Sequence, residues 1–230
     1  MPVEPAQFFT EQLERAQSGF AIASTNKNAQ LAALNLRQAF RHRLMLGLLT
    51  WRQGSNPTSY LASAVQQLNE AHLVVQQWDA RFDVGASLPM ATSALISVLV
   101  AKEPTKATSH SNGLAADVRL DLLLAGGNPD QLLANGALGD LRRSKRTHLA
   151  ADTYENYLRI LASKGEPERL ETACRLGEKL FSARSNDPFF SGGHQIEGGG
   201  PNNELIVDYR LAAALKLAQA TVPSVHAWRW

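Results

Sequence analysis

The chain has 230 residues, of which 44% are hydrophobic and 19% are charged, the composition of an ordinary globular protein. Its 23 basic and 21 acidic residues nearly cancel, so net charge does not indicate a nucleic-acid or membrane partner. One cysteine, Cys174, excludes an internal disulfide framework and every cysteine-based zinc finger.

The first two predicted helices are amphipathic, and Ser24–Asn26 separates them. The first covers Gln7–Phe20. The second, Asn28–Trp51, repeats apolar side chains every three or four residues. Its apolar surface is wider than a single stripe, so we expect several neighbouring helices to cover it.

Two further helices follow, each with a proline near its start. The third begins at Asn56–Pro57 and runs to about Arg81. The fourth, Leu88–Ala101, is apolar on nearly every side, so other helices should surround it. A membrane span needs roughly 20 apolar residues, more than this segment offers. Because the first residues also lack the features of a signal peptide, we expect a cytoplasmic protein without a membrane partner.

The second half of the chain predicts five more helices. They cover Leu114–Ala125, Asn128–Ala134, Leu149–Ala162, a segment that opens at Gly165–Pro167, and Glu204–Gln219. Gly136 and Gly139 should weaken helical structure beyond Ala134.

The fold class that follows is all-α, with one domain over residues 1–230 built as an irregular multi-helix bundle. Stacked helical hairpins are the alternative, because prolines lie at or just before several predicted helix starts. Those prolines are 57, 89, 129, 167 and 201. Their spacing resembles the period of helix-pair repeats, about 34–47 residues. No residue pattern recurs between them, so the irregular bundle is favoured.

The segment Ser185–Asn203 is the least helical part and the best candidate for a contact surface. Its length and glycine content are typical of functional loops. Phe189 and Phe190 would be costly to leave in water unless they pack against the protein or bind something. His194 and Glu197, three residues apart, could supply polar contacts or an acid–base pair. Two candidate ligands do not define a metal site, so we predict no bound metal or cofactor.

The main alternative to a binding protein is a helical hydrolase with a metal or acid–base site. It would use His194 and Glu197, together with Asp117 and Asp121, which lie four residues apart on a predicted helix. The sequence does not exclude an enzyme. A solvated helical face nevertheless explains the two aspartates better, because Val118 and Leu122 occupy the core side.

A third interpretation is a nucleic-acid-binding regulator that uses the basic run Arg142–Arg146 to contact phosphates. The run is short and has no interleaved aromatic residues, and basic side chains are also common at helix C-termini. We therefore do not expect a nucleic-acid partner. A second basic area, formed by Arg37, Arg41 and Arg43, is interpreted as the water-facing side of the second helix. Cys174 is interpreted as a small core residue.

The end of the chain carries Trp228 and Trp230, which either pack on the body or anchor a partner. Before them, Asp208–Ala213 opens a closing helix after a glycine-rich segment. In size, helical build and this closing helix, the chain resembles the all-α immunity proteins that bacteria make against their own secreted toxins. That resemblance implies a protein that covers a toxin's active site or substrate groove.

The function that we predict is therefore non-enzymatic protein–protein binding, with neutralisation of a bacterial toxin as its specific form. Phe189 and Phe190 would anchor the partner, while His194 and Glu197 would give polar contacts. A stable complex should bury at least about 1,000 Å².

Overall fold

The computed structural model describes residues 5–79, 88–101, 114–127, 130–143, 148–186 and 208–218. Within these ranges there are nine helices and no strand, which confirms the all-α class. The helices are α1 (Pro5–Thr25), α2 (Ala29–Arg52), α3 (Thr58–Trp78), α4 (Leu88–Ala101), α5 (Ala116–Ala125), α6 (Gln131–Arg143), α7 (His148–Ala162), α8 (Pro167–Asn186) and α9 (Tyr209–Leu217). The chain divides into two compact units, residues 1–93 and 94–230. The expectation of a single domain stays a prediction.

In the first unit, α2 packs against both α1 and α3. The helix begins where the sequence predicts, because the Asn28 side chain accepts a hydrogen bond from the Leu31 backbone N–H at 3.0 Å. Its two packed sides bury Ala32, Ala33, Leu36, Phe40 and Leu44, which accounts for the wide apolar surface of this segment.

The predicted interruption at Ser24–Asn26 lies too early, since α1 continues through Thr25. The hydroxyl groups of Ser24 and Thr25 donate to the carbonyl oxygens of Phe20 and Ala21, four residues earlier. These bonds satisfy both hydroxyl groups within the last turn of α1. The reversal occurs at Lys27, whose φ of 48° is left-handed.

Helix α2 approaches α3 closely at Gly47. A Cβ atom at this position would lie 2.8 Å from Cδ2 of Leu61, which is closer than side chains normally approach. Glycine therefore lets the two helices pack at short range.

Helix α4 buries the side chains of Ala91, Leu95, Ile96 and Val98, as expected for a helix that is apolar on nearly every side. None of the helices that the structure describes is long and apolar enough to cross a membrane.

In the second unit, α7 is the central element and packs against α5, α6, α8 and α9. Helix α9 returns to α5 and α7, far earlier in the chain, and this non-sequential packing is characteristic of an irregular bundle. Seven residues of α9, Tyr209–Leu215, are buried. The helices that α9 packs against, α5 and α7, bury Leu120, Leu124, Tyr157 and Ile160.

The prediction for α6 is wrong in its length, because the helix runs past both glycines to Arg143. Each glycine costs about 1 kcal/mol relative to alanine. Burial of the stripe formed by Ala134, Ala137, Leu138 and Leu141 offsets that cost.

Candidate functional site

The six side chains that the sequence analysis places at a partner surface are Phe189, Phe190, His194, Glu197, Trp228 and Trp230. All six lie outside the described residues. Their role in binding stays a prediction.

The two aspartates of α5 have different environments. Asp117 lies in the first turn, where its carboxylate accepts from the Val118 backbone N–H at 2.9 Å. Asp121 is fully buried, with 0% of its surface exposed. The interpretation of both residues as a solvated face is therefore wrong for Asp121.

Asp121 is buried because α9 supplies its counter-ion. Arg210 donates from Nε to Oδ1 at 2.7 Å and from Nη2 to Oδ2 at 2.9 Å, a two-point ion pair. The Tyr154 hydroxyl donates to the same Oδ1 at 2.6 Å. A buried carboxylate with these partners is a structural group that joins α5, α7 and α9.

The Arg210 guanidinium also lies against two aromatic rings. Its Cζ is 5.0 Å from the ring centre of Tyr209 and 5.6 Å from that of Tyr154. The ring of Tyr154 in turn meets that of Tyr157 edge-on, with centres 5.7 Å apart. The charge of Arg210 is thus held by aromatic faces as well as by the carboxylate.

Asp208 forms a second polar centre at the start of α9. It accepts from the Leu211 backbone N–H at 3.0 Å, which caps the helix, and from the Tyr157 hydroxyl at 2.9 and 2.8 Å on its two oxygens. The start of α9 is therefore held by two carboxylates, that of its N-cap residue Asp208 and that of Asp121 on α5. We call Asp121, Asp208, Arg210, Tyr154 and Tyr157 the buried polar network.

Sequence reasoning missed the partnership of Asp121 with Arg210. The available signal was an arginine at the start of an apolar run, between Tyr209 and Leu211. Such a residue, when buried, requires a carboxylate. Nothing in the sequence says which carboxylate it takes.

At the surface, a groove of about 390 Å³ runs between α6 and α7. Its lining includes the buried apolar side chains of Ala134, Leu138 and Leu161, together with the polar residues Gln131 and Asn135. The exposed side chains of Arg142 and Arg159 also line it, and both bind the carboxylate of Glu155. We call this the α6–α7 groove.

The Glu155 carboxyl group takes its ionised form in this position. Burial raises the pKa of that carboxyl. The hydrogen bonds and charges of Arg159 and Arg142 together lower the pKa by more than burial raises it, so it lies below its ordinary value. Arg159 and Glu155 lie one turn apart on α7 and form an ion pair, with Nη2 2.6 Å from Oε1.

A second groove, of about 480 Å³, lies between α7 and α8. Asn156 lines it and is 1% exposed, and its amide N–H donates to the Ala173 carbonyl oxygen at 3.0 Å. Arg159 and Ala162 line this groove as well as the α6–α7 groove. One helix therefore borders two recesses.

The basic run begins with two arginines that carboxylates already bind. Arg142 pairs with Glu155, and Arg143 pairs with Asp140. Hydrogen bonds from Arg119 and Arg143 hold the pKa of the Asp140 carboxyl below its usual range. Residues 144–147 lie outside the described part of the chain.

In the first unit, His42 lies buried within the second basic area. Burial, and then the charge of Arg41, lowers the pKa of this imidazole to about 4. Arg37 and Arg41 are exposed as predicted, whereas Arg43 is half-buried. His42 is therefore a neutral core residue at physiological pH, with its ring centre 6.0 Å from that of Phe9.

Among the described residues, no three His, Cys, Asp or Glu side chains lie close enough together to hold a metal ion. Cys174 is half-buried rather than a core residue, and burial raises the pKa of its thiol.

Comparison of the chain with protein-family models, with curated proteins and with solved structures finds no match.

Proposed function

We propose that this chain acts by binding another protein and performs no chemistry of its own. The observation that carries the proposal is that α7 borders two grooves, with Arg159 and Ala162 lining both. The lining of the α6–α7 groove combines buried apolar side chains with exposed charged ones. Protein interfaces usually combine apolar and charged side chains.

The position of Asp121 weighs against the acid–base alternative. That alternative uses Asp121 as one of its reacting carboxylates, but Arg210 and Tyr154 engage both of its oxygens inside the second unit. A group that is fully buried and ion-paired is poorly placed to contact a substrate.

We further propose that the partner is a bacterial toxin enzyme, which the chain neutralises by covering its active site or substrate groove. The support is the resemblance to all-α immunity proteins in size, helical build and closing helix. In this proposal Phe189 and Phe190 anchor the toxin, His194 and Glu197 give polar contacts, and Trp228 and Trp230 extend the surface.

The experiment has two steps. The tagged full chain is used to capture proteins from its native host, and a captured protein is then purified and mixed with the chain. We expect a stoichiometric complex by size-exclusion chromatography, and loss of the partner's enzymatic activity when the complex forms.

Two variants test the placement of the contact surface. Deletion of residues 188–202, or the double change F189A/F190A, should abolish the complex while the helical circular dichroism is kept. The matched control is Leu73→Ser, which removes a 60% exposed apolar side chain from α3 and should leave binding unchanged. Unchanged binding after the deletion contradicts this surface, and a partner that keeps its activity in the complex contradicts the toxin assignment.

A further inference from the structure

The α6–α7 groove offers more positive than negative charge to a molecule that enters it. Two guanidinium groups, those of Arg142 and Arg159, face the single carboxylate of Glu155. Each guanidinium has five N–H donors, and the hydrogen bonds to Glu155 use one from each. The arginine side chains are 45% and 60% exposed, so donors remain accessible from solvent.

The present ion pairs do not prevent a new partner from binding these arginines. Exposed ion pairs contribute little to stability because water and salt screen them. A second carboxylate could therefore share the two guanidiniums with Glu155, or replace it, at small cost. A guanidinium binds a carboxylate through two parallel hydrogen bonds, which also fixes its orientation.

The apolar part of the lining also restricts what can bind in the groove. Ala134, Leu138 and Leu161 line the groove, and at about 390 Å³ the recess can hold several side chains. A segment that fits this chemistry carries an aspartate or glutamate beside an apolar side chain.

We infer that the α6–α7 groove binds an acidic, partly apolar peptide segment of the partner protein, through Arg142 and Arg159. The inference rests on the proposed function, since it names a second contact for the same partner. Two cations in the groove face one anion, so the charge of the groove complements that of an acidic segment.

The test uses a displayed library of random dodecapeptides, selected on the full chain and followed by affinity measurements with synthetic peptides. Selected peptides should carry Asp or Glu next to an apolar residue. Their affinity should fall about tenfold or more for the double variant R142Q/R159Q, because a partner carboxylate then loses both cations. The variant R142K/R159K keeps the positive charge but loses bidentate hydrogen bonding, so it should give a smaller loss of peptide affinity.

The matched control is R143Q/R175Q. Arg143 and Arg175 are 75% and 74% exposed, each pairs with a carboxylate on its own helix, and neither lines the groove. This control removes the same net charge, so peptide affinity should change less than about twofold if the groove is specific. Thermal unfolding of all three variants verifies the fold, and Arg142→Gln alone serves if the double variant is unstable.

Several results would overturn the inference. They are a library that yields no binder, peptides without acidic preference, and equal losses for R142Q/R159Q and R143Q/R175Q. A random single-stranded oligonucleotide that binds the groove through the same arginines, more tightly than any selected peptide, would assign it to phosphate instead.

The two proposals can fail separately. If the purified partner still binds R142Q/R159Q but not the chain deleted for residues 188–202, the groove inference is wrong and the proposed function stands. If no partner complex forms although acidic peptides occupy the groove, the proposed function is wrong.

Discussion

Arg210 of α9 holds Asp121 of α5 through both carboxylate oxygens, at 2.7 and 2.9 Å, although the two residues are 89 positions apart in the chain. Both side chains are buried. The pair therefore fixes where α9 lies against α5 and α7, and several consequences can be measured.

Asp121→Ala should lower the free energy of unfolding by about 3–5 kcal/mol, because Arg210 loses its buried counter-ion. The double variant D121L/R210M should be less destabilised than the sum of D121L and R210M, since neither charge is then left unpaired. Urea unfolding of the wild type, the two single variants and the double variant measures this coupling. Additive losses would show that the ion pair is not an energetic unit.

Tyr157→Phe should lower the free energy of unfolding by about 1–3 kcal/mol. The Asp208 carboxylate then loses the buried hydroxyl group that contacts both of its oxygens. Tyr154→Phe is the matched control, because Asp121 keeps its two bonds from Arg210. We expect a smaller loss for that variant. Amide hydrogen exchange in α9 should rise more in Tyr157→Phe, and equal exchange in both variants would contradict the special role of the Asp208 cap.

Because of His42, we expect the free energy of unfolding of the first unit to depend on pH. Its folded-state pKa, about 4, lies below the ordinary value of 6.5, so the unfolded chain binds the proton more tightly. The contribution of neutral His42 is fully present above pH 6.5 and is lost as the pH falls from about 6.5 towards 4. The loss amounts to about 3 kcal/mol at most, by the energy that one pKa unit represents.

Comparison of the wild type with His42→Gln separates the effect of His42 from that of carboxylates that titrate in the same pH range, because both proteins contain the same carboxylates. The difference in unfolding free energy between wild type and variant should narrow as the pH falls from 7 to 4. A difference that stays constant over that interval would mean that His42 is not buried in its neutral form.

Two glycines lie in helix interiors, and we expect a larger side chain to change protein stability in opposite directions at the two positions. Gly136 on α6 is exposed, and a methyl group added there would meet nothing within 4 Å, so Gly136→Ala should stabilise the protein by about 0.5–1 kcal/mol. Gly47→Val should destabilise it by about 1–3 kcal/mol, because the new side chain meets Leu61 and Tyr60. Thermal unfolding measures both changes, and stabilisation by Gly47→Val would contradict the close packing of α2 on α3.

Helix type and the start of α2 could be predicted from local sequence, whereas α9 begins at Tyr209 rather than at the predicted Glu204. The asparagine at position 28 and the apolar periodicity of 28–51 are local signals, and α2 follows them to within about one residue at each end. The extension of α6 past Gly136 could not be predicted in this way, because the burial that offsets the glycine cost depends on neighbouring helices.

The candidate site was less accessible to sequence reasoning. Asp121 looked like a surface residue because its helical neighbours are both polar and apolar, and its partner lies on another helix. The α6–α7 groove likewise requires two helices to be placed side by side before Arg142 and Arg159 come to share Glu155. Periodicity identifies which face of a helix is buried, but it does not identify which helix covers it.

The return of α9 to α5 also bears on synthesis of the protein. On the ribosome, Asp121 emerges 89 residues before Arg210, so the nascent second unit holds an acidic side chain whose cation has not yet been translated. We therefore expect the tertiary structure of this unit to form late, after α9 has left the exit tunnel, as contacts distant in sequence generally form slowly.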